Sequence, residues 1–181
     1  EEAFDYNGIY TIRLVVAGKD GKTAEDRVTC EVGRVIAQCL PGTAISPDKK
    51  VSMHFPEQAL LHPFRIYSIL PVSEAGEELP PAPSGATILG QVYRIREPGD
   101  RFIKDVVLEF SADASLLNGQ DAKNVGIAQY DVANKSWVWL PTLYDSNHSV
   151  FSNILVFSTS LSSLPAGKAI YALIADKSEV R

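Results

Sequence analysis

The side chains able to do chemistry are scattered along this chain, and their spacing mostly rules chemistry out. The histidines are His54, His62 and His148. No two of them stand at the i, i+4 spacing that aims two imidazoles at one metal ion from a helix. His54 alternates with Val51, Met53 and Phe55, which turns it toward solvent or a loop, and His62 and His148 read as turn residues beside Pro63 and Asn147. Serines crowd the late chain at Ser158, Ser160, Ser162 and Ser163, but none lies in a Gly-x-Ser-x-Gly elbow. The carboxylate pairs Glu77-Glu78 and Asp131 with Asp145 have the composition for acid–base work. Their loop settings suit solvated surface charge better.

Oxygen donors recur in expected turns at Asp100, Asp113, Asn118, Asp121, Asn124, Asp145 and Asn147. Hard cations such as calcium take their ligands from such loops. No calcium-loop spacing is present, and Asp and Asn favour turns through their own backbone hydrogen bonds. No metal site and no cofactor are therefore expected, with calcium the one ion the composition leaves open. Trp137 and Trp139 are two apart on an expected strand, so both point to one face. They read either as a core and a rim position or as an aromatic platform for a glycan or protein, joined by Tyr144 or Tyr130. The core reading places Trp137 and Tyr171 among Leu108, Phe110, Ile127 and Ile154.

The elements that must position these residues are short strands. Residues 9–32 form the clearest hairpin, with Tyr10, Ile12, Leu14 and Val16 on one face and Asp20-Gly21 in the turn. The return strand alternates Val28, Cys30 and Val32 with Arg27, Thr29 and Glu31, a pattern of one buried and one wet face. Its apolar row is expected to dock on the rest of the chain or to pair with the hairpin of a neighbouring copy. Residues 34–40 read as a connector. Strands follow at Val51–Phe55, Phe64–Leu70, Ile88–Ile95, Phe102–Phe110, Ile127–Asp131, Trp137–Leu140, Val150–Ser158 and Tyr171–Leu173. Residues 71–86, rich in proline, glycine and glutamate, read as an exposed loop. No stretch holds a 3.6-residue apolar period, and Ser111–Leu117 allows one helical turn at most. The fold class is all-β.

At 181 residues the chain has room for one generous domain plus a fragment, and 45% hydrophobic content supplies a core. A net charge of −5 with no run of Lys or Arg disfavours nucleic acid. No apolar run approaches the ~20 residues of a membrane span, so no membrane insertion is expected. The start at Glu1-Glu2, without Met, reads as a piece of a longer protein. Cys30 and Cys39 are too few for a disulfide scaffold, and read as two thiols or as one bridge closing a short loop.

The run Tyr6-Asn7-Gly8-Ile9-Tyr10 to Val16, closed by Asp20-Gly21, resembles the last two strands of a PKD-type immunoglobulin-like module. The later pattern resembles the ZU5-like β-sandwich domains of bacterial and archaeal surface proteins. It runs from Val51–Phe55 with Pro56-Glu57-Gln58-Ala59-Leu60, through Ile127–Asp131 and Trp137–Leu140, to Phe157-Ser158 and Tyr171–Leu173. The resemblance divides the chain into an immunoglobulin-like hairpin remnant at 1–33, a connector at 34–40, an antiparallel sandwich at 41–176 and a tail at 177–181. Some relatives of that group cut their own backbone within His-Phe-Ser. The corresponding residues here are Val156, Phe157 and Ser158, so the base is missing. His148 stands ten positions before Ser158, near the preceding turn. The resemblance thus implies a non-catalytic, extracellular or cell-surface module acting in structure or adhesion. Its partners would be other modules of the same polypeptide, a glycan or surface protein, or a second copy through the 9–32 hairpin.

Overall fold

The computed structural model describes residues 8–96, 99–145, 153–166 and 168–176. The chain is an all-β antiparallel sandwich carrying a two-stranded arm. The arm pairs β1 (Gly8–Ala17) with β2 (Thr23–Val32), from Gly8 opposite Val32 to Ala17 opposite Thr23. Its turn closes through the Gly21 amide donating to the Gly18 carbonyl, with Gly21 at φ 76°. That conformation is open to glycine at no steric cost.

Two five-stranded sheets face each other. The first orders β11 (Ser136–Trp139), β10 (Val125–Asp131), β14 (Ala169–Asp176), β8 (Ala86–Ile95) and β7 (Ile69–Pro71). The second orders β12 (Leu143–Asp145), β13 (Ile154–Ser163), β9 (Arg101–Asp113), β5 (Val51–Phe55) and β4 (Gly42–Ile45). All pairings are antiparallel, and the four edge strands span three or four residues each. Such short edges blunt edge-to-edge association. The single helical turn allowed at 111–117 is a 3₁₀ turn at Ala114–Leu117, and a second occupies Ala122–Asn124.

Alternation decides the inner face of the second sheet. Val51, Met53 and Phe55, then Val106, Leu108 and Phe110, then Leu155, Phe157 and Leu161 are all buried and point at the first sheet. From that sheet come Ile69, Tyr93, Ile95, Ile127, Tyr171 and Leu173. Tyr93 meets Phe110 edge to face at 5.7 Å, and its hydroxyl donates to Asp48 in the β4–β5 turn. Burial, then the Asp48 charge, pushes this phenol far above its ordinary range, so it remains a donor.

The structure departs from several sequence expectations, among them the docking of the arm's apolar row, whose Ile12, Leu14, Val16 and Val28 are exposed. The 34–40 connector contains a strand, β3 (Arg34–Ala37), which pairs with β6 (Phe64–Tyr67). Its Ile36 joins the main core, because one buried side chain suffices to dock so short a segment. The 71–86 loop exposes much of its length, yet Val72 is fully buried against the outer face of the first sheet. Trp137 is not among Leu108, Phe110 and Ile127. It packs on that same outer face beside a second cluster, with Tyr130 at 5.2 Å, whereas Tyr171 is fully buried between the sheets.

One buried group is mismatched with its surroundings. Thr159 lies on the inner face of β13 at 3% exposure, and its hydroxyl has no partner among the described residues. An unsatisfied buried hydroxyl costs about 1–3 kcal/mol. Thr159→Val keeps the branched shape and removes the hydroxyl. Chemical denaturation should show the variant more stable by about 1 kcal/mol. Destabilisation of that size would mean the hydroxyl is satisfied in solution.

Candidate functional site

Three places bring functional side chains together: the outer face of the second sheet, the aromatic edge of the first, and the joint between arm and sandwich. Val156, Phe157 and Ser158 lie in the middle of β13, which is paired on both sides. Phe157 stands opposite Phe110 in β9 and Tyr144 in β12, and Ser158 opposite Glu109 and Leu143. Phe157 is fully buried and stacks on Tyr144 at 5.3 Å. Val156 and Ser158 point the other way, onto the outer face. Ser158 is not among the non-glycine residues with positive φ, which are Lys49, Gln58, Asn118 and Lys135.

Register aligns other polar groups with Ser158. Ser52 of β5 faces Glu109 from the far side, so Ser52, Glu109 and Ser158 form one row across three strands. In the next row His54 faces Val107, with Thr43 of β4 opposite His54. Ser52 Oγ lies 2.9 Å from His54 Nε2, and Thr43 Oγ1 lies 3.2 Å from Nδ1. Both ring nitrogens are thereby occupied and the ring is fixed. His54 stands two strands from Ser158, on the order of 10 Å at ~4.8 Å per strand. His62 is exposed in the turn before β6, and His148 lies outside the described residues. Sequence spacing could not reveal the Ser52–His54–Glu109 alignment, because it depends on the pairing of strands more than fifty residues apart. The alternation Ser52/His54 against Val51/Met53/Phe55 was the only available signal.

The aromatic residues separate. Trp137 Nε1 donates to the Pro81 carbonyl at 2.8 Å, which ties the proline-rich loop to β11. Trp139 is 43% exposed and lies over Gly126, where an added Cβ would come within 2.9 Å of the ring. Glycine is thus what allows this ring to lie against β10. Tyr144 is on the other sheet and faces the core. Trp137, Trp139 and Tyr130 therefore share a face that Tyr144 does not join.

Of the turn oxygens, Asp113 and Asp121 accept backbone hydrogen bonds from Ser115 and Lys123, and Asp100 accepts from the Tyr67 hydroxyl. Asp145 ends β12, and Asn147 lies outside the described residues. Among the described residues no group of three or more His, Cys, Asp or Glu side chains converges on a metal position. Cys30 on β2 and Cys39 in the turn after β3 are both free thiols. Among the described residues no helix is long and apolar enough to cross a membrane.

The joint gathers five charged side chains into one network. Glu31, the penultimate residue of β2, accepts from Arg94 at 2.8 Å, from Arg96 at 3.1 Å and from the Ser68 hydroxyl. Arg94 reaches in the other direction to Glu77 at 2.9 Å, and Lys168 closes on Glu77 at 2.8 Å. Glu31, Glu77 and Arg94 keep only 14%, 15% and 20% of their side chains exposed. Gly33 follows at the crossing, where an added Cβ would sit 2.6 Å from the Tyr67 carbonyl oxygen. The backbones can approach this closely only at glycine.

No protein-family model matches the chain, and no curated protein matches it.

Burial alone would raise the Glu77 carboxyl, but hydrogen bonds and charge from Lys168 and Arg94 outweigh it and hold the group below its ordinary value. A depressed carboxyl contributes stability that is fully present above the unfolded pKa, about 4.3 for Glu. That contribution is lost as pH falls through the lower folded value. The stability difference between the native chain and Glu77→Gln should therefore hold steady from neutral pH to about pH 5 and shrink below about pH 4. Denaturant titrations across that range check it. A difference that grows on acidification would contradict the assignment.

Proposed function

We propose that the chain is a non-catalytic structural module of a larger surface protein, a spacer and adhesion support built on a ZU5-like sandwich. The observation that carries this reading is the mounting of the arm. A hairpin of the kind that ends a PKD-type immunoglobulin-like module is fixed to the sandwich by Gly33 packing and by Glu31. A joint of this construction transmits orientation between successive modules, which a flexible linker does not.

The two faces of the arm support the same reading. One face is laced by ion pairs of Arg13 and Arg27 with Glu25, at 2.6 and 2.5 Å. The other presents Ile12, Leu14, Val16 and Val28, each 47% to 60% exposed. Only the base of the arm docks on the sandwich. Other modules of the same polypeptide are the proposed cover for the apolar face, and a second copy of the arm is the competing one. An extracellular or cell-surface location accords with this modular role.

The setting of Ser158 supports the absence of self-processing. Backbone cleavage by a serine needs a base at the hydroxyl and a strained amide. Val156 supplies no base and both nitrogens of His54 are engaged elsewhere. Although Ser158 stands opposite Glu109, the Phe157–Ser158 bond lies in a doubly paired strand and Ser158 has no positive φ.

Two measurements test the proposal. Intact mass after incubation at neutral pH should show one full-length species, and two fragments parted between Phe157 and Ser158 would overturn the non-catalytic reading. Hydrogen exchange should show protected amides at the base of the arm, around Cys30 to Val32, in the native chain. Glu31→Ala should speed exchange there about tenfold or more while leaving β9 and β14 unchanged. A native arm exchanging at unfolded rates would remove the rigid joint and the spacer role with it.

A further inference from the structure

The outer face of the second sheet opens into a cavity of about 870 Å³, at the upper end of the ~300–1,000 Å³ of small-ligand sites. Its floor is Ser52, His54, Glu109 and Ser111, on strands β5 and β9. Three cations, Arg34, Lys49 and Lys50, stand around it. None of the three makes an ion pair among the described residues. This contrasts with the arm and the joint, where Arg13, Arg27, Arg94, Arg96 and Lys168 are all paired. Glu109 is half-buried on the floor and likewise has no hydrogen-bond or ion-pair partner among the described residues.

We infer that this cavity binds an anionic oligosaccharide. The lining sets three cations against the Glu109 carboxylate. Asp113 faces Lys50 and Asp48 is held in its own turn, so Arg34 and Lys49 carry the free positive charge, on a chain whose net charge is −5. Carboxylates and sulfates are the groups that guanidinium and ammonium donors recognise best. The floor supplies hydroxyls, an imidazole held by Ser52 and Thr43, and a free carboxylate. That mixture of donors and acceptors matches sugar hydroxyls, which both donate and accept. Ile45, 45% exposed, and Pro47 add an apolar wall for the C–H faces of the rings. An acidic peptide fits less well. The floor strands are paired on each side, and the one sheet edge at the cavity, β4, spans only four residues, so it offers a peptide backbone few pairing positions. The site is on the opposite sheet from Trp137 and Trp139, and of its lining only Arg34 adjoins the joint, so binding there does not depend on the module reading.

Calorimetric titration of the full chain tests this with four probes: tetragalacturonate, a sulfated tetrasaccharide, neutral maltotetraose and hexaglutamate. At least one of the two acidic sugars should bind, more weakly as salt rises, and maltotetraose should bind at least about tenfold more weakly. Comparing the two acidic sugars shows whether carboxylate or sulfate is preferred. The double variant R34Q/K50Q should lose about tenfold or more in affinity with an unchanged melting temperature. K49Q is a second surface variant, and it should likewise weaken binding of the acidic sugars. Absence of binding to both acidic sugars overturns the inference. Binding unaffected by R34Q/K50Q moves the ligand elsewhere and overturns it too. Hexaglutamate binding as tightly as the sugars would replace the glycan by an acidic peptide.

Discussion

Arg94 is the side chain on which the outer architecture of the first sheet depends. It stands on the outer face of β8 between two carboxylates that come from different parts of the chain. Glu31 brings the base of the arm, and Glu77 brings the proline-rich loop. Arg96 and Lys168 complete an alternating row of five charges. Ions this far out of water repay their desolvation only when geometry and hydrogen bonding are good. Here each carboxylate meets two cations, and of the Arg94 guanidinium only Nε is left without a partner among the described residues. Removing the central charge would leave two mostly buried carboxylates, each with only a peripheral partner. The guanidinium thus fixes the place of two segments that would otherwise have little to hold them.

The consequence is a sandwich with two unlike outer faces. On the first sheet the clamped loop and Trp137 cover a second apolar cluster made of Val72, Val92, Tyr130, Ile170 and Ile174. Strand β14 is accordingly apolar without alternation, with Ala169 through Ala175 all buried. Among the described residues nothing comparable covers β5, β9 and β13 on the second sheet, and these strands alternate between core and outer face over Val51–Phe55, Val106–Ala112 and Leu155–Leu161. Physical chemistry thereby allots the roles. The covered face contributes stability and a joint, and the open face is free to carry polar groups in register.

This contrast also explains which parts could be read from residues alone. Strands with one wet face announce themselves by period two, and β5 and β9 are where alternation pointed, whereas the strand read at Val150–Ser158 runs on to Ser163. Turn chemistry placed the Asp20-Gly21 hairpin, and the lack of a 3.6-residue period limited Ser111–Leu117 to a single helical turn, which is found at Ala114–Leu117. Strand β3 was missed because four residues with one core side chain have no period to detect. The true face of Trp137 was missed because Trp137 and Trp139 share a face whichever sheet surface they occupy, and only the loop above them decides. The unbroken apolar run Ala169–Ala175 was an available clue, since a strand buried on both sides requires a further layer. Glu31 and Arg94, 63 residues apart, offered no local signal. Nor did the row of Ser52, Glu109 and Ser158, which exists only once three distant strands have paired.

The arm shows why sequence alternation alone does not establish burial. Tyr10, Ile12, Leu14 and Val16 keep the pattern of a half-buried strand, and their cross-strand partners Cys30, Val28, Asp26 and Ala24 lie on the same face. Exposure nonetheless reaches 60% at Leu14. A two-stranded ribbon has marginal stability by itself in water, because it orders about twenty residues with almost no burial to offset the entropy. What holds this one is concentrated at its ends and on its wet face. The Gly21 turn fixes the tip, Glu25 ties Arg13 to Arg27 across the strands, and Glu31 with Gly33 anchors the base. Such ion pairs on an exposed ribbon add little each. The apolar face is therefore the unspent part of the arm's stability, and any partner that covers it gains both the buried surface and the ordering of a strand pair whose base is already fixed.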